Sequence, residues 1–584
     1  MSKTNFNKNP FVETPYDSKL ILGWNQIVNH IKNCISEIPK PKKIVALELY
    51  QGVLEENIIE NLSKYFHFDK LIVTSDIMYS ESYISEIVYP FVTDDRIFGY
   101  WTSLTIEDYF DTEKIKTYRS DIENNNEEVI VIIGPGASYV YPNPDLLIYA
   151  DMARWEIQLR MRKHEVNNLG LYNRNTEDWM LLYKQGYFVD WRVLDQWKKK
   201  IWHNIDYFLD TNDRTNPKLA IGNTIFDTLD KIVHRPFSVV PFFDPGPWGG
   251  QWMKNHCNLD PETSNYAWCF NCVPEENSLL IKFSNGFFEI PSINLVFTHP
   301  KPLLGKKVFE RFGAEFPIRF DFLDTVEGGN LSLQVHPLTS YIKDQFGMSY
   351  TQDESYYILH ANEDAHVFLG LKEDINPAQM IFDLKEAQKG EIAFETEKHV
   401  KAWPVQTHDH LLIPAGTVHC SGKGCLVLEI SSTPYIFTFK MWDWGRLGLD
   451  GKPRPINIDH AQQVIQWDRV ESWTKKNLVN RIEPITSGEG WKEEKTGLHE
   501  LEFIETRRFW FTNPVTIEMT DSVYVGCVIK GEELSIESPS QDFEPFIVHY
   551  AETFIVPASV KQFIMKPLSK IQSDESGVIL AFVR

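Results

Sequence analysis

The apolar positions fall into two regimes. Up to about residue 235, uninterrupted apolar runs alternate with stretches at helical spacing. Leu20–Ser36 is helix-like, Lys43–Leu49 reads as a buried strand, and QGVLEENIIENLSKYF reads as a turn and an amphipathic helix. KLIVTSDIMY gives a second strand. EEVIVIIGPGASYV contains a third, apolar throughout and so covered on both faces. LLIYADMARWEIQLRMRK is a fourth strand running into a helix. Strands alternating with helices predict an α/β domain with a parallel sheet. The stretch 151–235, including DWRVLDQWKKKIW, reads as amphipathic helices with a solvated basic face. HRPFSVVPFFDPGPWGG, with four prolines, marks the boundary. Beyond it the spacing becomes strand-like. NLSLQVHP, SYYILHA and LLIPAGTVHC come first, then a helical linker, AQQVIQWDRVESW, then short β-like runs from FWFTNPVTIEM to GVILAFVR. The predicted fold is multidomain: an α/β parallel-sheet domain over 1–235, then two all-β jelly-roll barrels over 236–460 and 461–584.

Strand alternation puts Gln334 and His336 on one face, because side chains in a strand repeat every two residues. Eighteen residues on comes Glu354, and His419 closes the run LLIPAGTVH. One Gln, two His and one Glu on strands of a barrel can hold a divalent metal with positions left open, a catalytic rather than structural pattern. One metal is expected, with Zn foremost and Fe, Mn, Co or Ni as alternatives.

Composition narrows the classes. Hydrophobic content of 43% and charged content of 24% are ordinary for globular protein, so the 584 residues should form about three domains. A net charge of −23 argues against nucleic acid and against anionic membrane surfaces. No apolar run reaches the roughly 18–20 residues of a membrane span. The N-terminus shows no signal peptide, and the seven cysteines are thinly spread. A cytoplasmic location is therefore expected, with Cys269 and Cys272 as buried thiols.

The strand and helix order of the first 235 residues resembles P-loop nucleoside and sugar kinases such as the uridine kinase family. Such a domain cradles phosphate with glycine N–H groups and a Lys. The matching stretch, ELYQGVLEEN, keeps Gly52 but has Glu55 and Glu56 at the Lys and Ser/Thr positions. A degenerate domain that does not take nucleotide in the usual way is expected. Gly134–Ser138 (GPGAS) offers a second glycine turn.

PFFDPGPWGGQWMKN, FPIRFDFLDT, LSLQVHP, DESYYILHANEDAHVFLGLK, LLIPAGTVH and MWDWGRLGLDGKPRPINID follow in an order that resembles type I mannose-6-phosphate isomerases, a bicupin family. The resemblance covers about 236–459 and implies metal ligands Gln334, His336, Glu354 and His419. It also implies a pocket carboxylate, Glu429, with Lys440 and Arg446 beside it as catalytic groups, and substrate contacts from Arg319, Gln352 and Arg454. His360, His366, His408 and His410 do not match ligand positions. The chain departs from the family at four places. Gln352 and Asp321 stand where the family has Lys. Lys440 stands for its Arg, after Thr433–Pro434 in place of Ser-Asp. Cys269 stands for a glutamate. In the last region AETFIVPASVKQFIM mimics the PAGTVH stretch with Lys561 at the histidine position, so a metal-free cupin is expected there.

The resemblance implies isomerisation of mannose 6-phosphate to fructose 6-phosphate through an enediol(ate), with Glu429 or a metal-bound hydroxide as base. The partner would be a small sugar phosphate. Two alternatives stay open: another sugar or sugar phosphate as substrate, or a non-catalytic sugar sensor.

Overall fold

The structure is a computed structural model. It describes all residues except 1–3, 125, 391, 433–435, 448–453, 455, 498 and 569–573. The Thr433–Pro434 replacement thus lies outside the described residues. The chain forms two compact units: Phe11–Lys231 with Glu275–Thr298, and Met1–Pro10 with Ile232–Pro274 and His299–Arg584.

In the first unit β1 (Lys43–Leu49), β2 (Lys70–Val73), β3 (Val129–Gly134), β4 (Leu146–Asp151) and β5 (Tyr207–Asp210) lie parallel in the order β2-β3-β1-β4-β5. β6 (Lys218–Ile221) and then Ile21–Leu22 extend the β5 edge antiparallel. Helix α1 is Gly23–Glu37. It starts later than the spacing predicts because Ile21 and Leu22 pair with β6 and Gly23 turns the chain at φ +74°. Its Trp24, Ile27, Val28, Ile31 and Ile35 recur at helical spacing and bury against Val45, Leu47 and Leu49 of β1. Each such side chain contributes roughly 1.5–3 kcal/mol. Helix α2, Glu55–Tyr65, follows β1.

Glu275–Thr298 departs from the expected boundaries. The spacing assigns it to the stretch 236–460, yet it packs with the α/β unit. Ser278–Phe283 pairs parallel with Phe11–Glu13 and antiparallel with Gly286–Pro291. The buried Asn294 then donates to Asp151 Oδ2 at 2.7 Å and accepts from Lys198 Nζ at 3.0 Å. Completing those bonds fixes the excursion, since unpaired buried polar groups are costly.

The strand ladders of the second unit are antiparallel among the described residues, with a parallel bridge from Leu371 to Val470. β7 (Phe242–Asp244), β8 (Trp268–Cys272), β9 (Arg319–Asp324), β10 (Leu333–Val335), β11 (Glu354–Ala361), β12 (His366–Leu371), β13 (Val400–Pro404), β14 (His410–Ile413), β15 (His419–Ser421), β16 (Cys425–Ser431) and β17 (Phe439–Trp442) form two sheets. Their orders are β14-β11-β16-β9-β8-β7 and β13-β12-β15-β10-β17. A six-stranded and a four-stranded sheet follow between Glu483 and Val583, around Phe509, Phe554, Phe563, Met565 and Phe582. The linker predicted as one helix is two short ones, Ile458–Val464 and Glu471–Asn477. Between them Arg469 donates to the carbonyls of Pro414 and Ala415 at 2.8 and 2.7 Å, which pulls the backbone out of helical register. No helix among the described residues is long and apolar enough to cross a membrane.

Candidate metal centre

Register places the donors. On β10, Gln334 stands opposite His419 of β15 on one side and Lys440 of β17 on the other, so all three share a face. In the other sheet Asp321, Glu429 and Tyr356 stand abreast on β9, β16 and β11, and Arg319, Ser431 and Glu354 form the next row. His336 is the residue after β10. His336 Nε2 lies 3.1 Å from Glu354 Oε2, and His419 Nε2 lies 2.7 Å from Glu354 Oε1. One ligand atom from each of these three residues falls within 4.8 Å of the others. Gln334 Nε2 is 3.3 Å from His419 Nε2, and a half-turn of the amide presents its oxygen to the same point.

The imidazoles are aimed by their other nitrogens. His336 Nδ1 meets Phe437 O at 3.1 Å, and His419 Nδ1 meets Thr417 O at 2.9 Å. A carbonyl only accepts, so each Nδ1 carries the proton and each Nε2 points its remaining site at Glu354. Both histidines are fully buried and Glu354 nearly so. Burial alone would raise the Glu354 carboxyl. The two imidazoles outweigh it and hold the group well below its usual range. Two Nε2 atoms, a carboxylate and an amide oxygen converging in a buried pocket fit a divalent cation of the zinc type.

Around this set lies a chain of buried polar groups. Gln352 Nε2 donates to Glu354 Oε2 at 2.9 Å and reaches Glu429 Oε1 at 3.4 Å. Glu429 also accepts from Ser431 Oγ at 2.9 Å, with Arg319 Nη1 at 3.8 Å. Arg319 is bound to Asp321 at 3.2 Å and covers the Phe270 ring. Burial, then the Asp321 and Glu354 charges, push Glu429 well above the carboxylate range. Burial also lifts Asp321 to about 6 against the pull of Arg319. Lys440 is lowered to about 8 by burial and by Arg454. Tyr356 Oη, Gln352 Oε1 and Asp321 Oδ1 are buried without a hydrogen-bond partner among the described residues.

Arg446 and Arg454 are drawn elsewhere. Both donate to Asp443, at 2.9 and 2.8 Å, and Arg446 also binds the Asn330 carbonyl. Ser332 donates to the same carboxylate at 2.7 Å. Asp443, Ser431 and Tyr356 were not singled out from sequence. Tyr356 was legible, standing two residues after Glu354 on the same strand face. Asp443, two residues on from the Met441 of β17, carried no such signal. Cys269 opposes Phe322, on the other sheet face from Asp321, and its thiol donates to Asn271 Oδ1 at 2.9 Å. Cys269 and Cys272 are buried thiols outside any disulfide. His408 meets the Tyr357 hydroxyl at 3.0 Å and His360 meets Asn362 at 3.3 Å. His366 meets the Asp364 carbonyl, and His410 is buried; none of the four joins the donor cluster.

The mannose-6-phosphate isomerase ManA of Bacillus subtilis is 27% identical over 305 residues, which is 51% of this chain and 86% of the relative. The chain is mannose-6-phosphate isomerase-like in sequence. The probable isomerase GmuF of the same organism is 29% identical over 233 residues, 40% of this chain and 68% of the relative. The solved isomerase of Bacillus subtilis aligns with 59% of this chain and 99% of its own at 19% identity, with a TM-score of 0.48. A variant of the Salmonella typhimurium phosphomannose isomerase gives 13% identity, 59% and 98% coverage, and a TM-score of 0.45. Residues 23–234 match a family described as a domain of unknown function (DUF8485).

Proposed function

We propose that the second unit is a metal-dependent aldose–ketose isomerase that interconverts mannose 6-phosphate and fructose 6-phosphate through an enediol(ate). The observation that carries this reading is the link Glu354–Gln352–Glu429, which ties a donor of the cation site to a buried carboxylate on the same inward face. Gln334, His336, Glu354 and His419 would hold the cation, which supplies positive charge to the oxygens of the reacting carbons. Glu429 takes the proton from C2 and returns it to C1. Its apolar surroundings and neighbouring carboxylates make it a stronger base, once ionised, than an exposed glutamate. Arg319, 3.8 Å away, favours the ionised form. Lys440, opposite Gln334 and lowered to about 8, can stabilise or protonate a sugar oxygen. Tyr356 Oη and Gln352 Oε1 are left to meet sugar hydroxyls. Steady-state turnover of mannose 6-phosphate, with and without chelator, tests the reading. Rates that chelator leaves unchanged would sink it.

A second reading, isomerisation of another sugar or sugar phosphate, is favoured by Asp443. This carboxylate already binds Arg446 and Arg454, and Asp321 binds Arg319. Fewer cations then remain for a distal phosphate. The first choice retains the resemblance, and a panel of free and phosphorylated hexoses separates the two.

The strand and helix order of the first unit, similar to that of P-loop kinases, supports reading it as a degenerate kinase-like domain. β1 leads into Gly52, at φ +92°, and then into α2. The two sheets after Glu483 are read as a metal-free second cupin. There Lys561, at φ +64°, holds the position matching His419.

A further inference from the structure

A cleft of about 480 Å³ opens in the first unit at the carboxyl ends of β1, β2 and β3. Its size is within the roughly 300–1,000 Å³ of ordinary small-molecule sites. Leu49–Glu56, Thr74–Asp76 and Pro135 line it, and Glu165–Tyr172 with Arg174 complete the wall. The chain leaves β1 toward β2 on one side and leaves β3 toward β4 on the other. Open parallel sheets take their ligands beside such a reversal.

The chain itself occupies the places where a phosphate would be held. In the glycine turn after β3, the buried Glu48 accepts from the N–H of Gly136 and, at 2.9 and 2.6 Å, from the N–H and hydroxyl of Ser138. At the start of α2, Glu55 and Glu56 are the first two residues, so the positive helix end is met by the helix's own carboxylates. The cations at the cleft are also committed. Lys114 Nζ donates to the carbonyls of Asp76 and Met78 at 2.9 and 3.1 Å, and Arg174 stands 4.0 Å from Glu56. Beneath Tyr50, Arg154 is paired with Asp195 and Lys198 with Asp151.

What remains is a surplus of acceptors. The side-chain carboxylates of Glu55 and Asp76 have no hydrogen-bond or ion-pair partner among the described residues. Thr74, fully buried, and Gln51, 6% exposed, line the cleft with Thr74 Oγ1 and Gln51 Oε1 unpartnered. Gly134 makes room for two of these groups, since a Cβ there would stand 2.9 Å from Glu55 Oε2 and 2.0 Å from Thr74 Oγ1. The rings of Tyr79 and Tyr172 add faces that attract cations.

We propose that this cleft binds a small phosphate-free organic cation of the di- or polyamine class, with an ammonium group between Glu55 and Asp76 and its N–H donors meeting Thr74 and Gln51. Glu55 is pushed up to about 7 by burial and by Asp76 and Glu56, and a bound ammonium would hold it ionised.

Calorimetric titration of the full chain at about 150 mM salt tests this, with putrescine, spermidine, inorganic phosphate and Mg-ATP as probes. The salt suppresses loose attraction of polyamines to a chain of net charge −23. One amine should bind per chain. The double substitution Glu55→Gln/Asp76→Asn should weaken it at least tenfold, and Thr74→Val, which keeps both charges, should weaken it less. Thermal unfolding checks that each variant is folded. The proposal fails if neither amine binds with unit stoichiometry or if both sets of variants bind as the wild type does. Tighter binding of phosphate or Mg-ATP than of either amine would also overturn it.

Discussion

The candidate metal site of the second unit and the glycine turn of the first are both built around a buried glutamate, and the partners of that glutamate set them apart. Glu354 faces two imidazoles whose outer nitrogens are held by carbonyls. A cation can be taken up between the inner nitrogens and the carboxylate without breaking those outer bonds. Glu48 instead faces backbone N–H groups and a hydroxyl of its own turn, 88 and 90 residues along the chain. Nothing there can be exchanged for a ligand without leaving N–H groups unmet. A buried carboxylate therefore makes a binding site only when its partners can release it. At the cleft beside that turn, the carboxylates of Glu55 and Asp76 have no partner among the described residues.

The comparison breaks most visibly at His336. His336→Ala should abolish stoichiometric zinc in metal analysis of the purified protein and take turnover to background. Retained zinc would mean that Glu354 and His419 suffice. Glu429→Gln should keep the metal and lower kcat by about 10²–10⁴, the usual span for a lost general base, with little change in KM. A change confined to KM would move Glu429 from chemistry to binding. In the first unit, Glu48→Ala should cost about 2–4 kcal/mol in urea unfolding, because it strands N–H groups at Gly136 and Ser138. It should also let inorganic phosphate bind at that turn, where the wild type should bind none. The smallest effect expected is at Glu55. Its value of about 7 lies above the ordinary 4.5, so the stability of its protonated form is complete below 4.5 and is lost as pH rises through about 7. Glu55→Gln should therefore gain about 1–2 kcal/mol over wild type at pH 8 and little at pH 4, after discount for solvent at this half-buried site. Equal gains at both pH values would show that Glu55 is not strained by its neighbours.

How legible each part was depends on the range of the interactions involved. β1 was read to its residue, Lys43–Leu49, because a continuously apolar run needs no partner to be recognised. The cluster of His336, Glu354 and His419 was legible because strand period and order carry it. The network around Glu429 was not, since Arg319, Gln352 and Ser431 come from three separate strands or loops. Arg446 reads from sequence as a catalytic group and Arg454 as a substrate contact, and only the position of Asp443 shows that both are engaged. Glu275–Thr298 looked like part of a barrel, because alternating strands read alike whichever sheet they join.

The sequence by itself determined the α/β and antiparallel regimes and, through strand period and residue type, the inward cluster of His336, Glu354 and His419. Period and residue type are local properties, and these features depend on little else. Tertiary structure alone decided which charges are already neutralised, and so which groups at each site remain to meet a ligand. Asp443, Glu48 and Asn294 find their partners across long stretches of chain. Pairing over that range is set by packing, which no local pattern encodes.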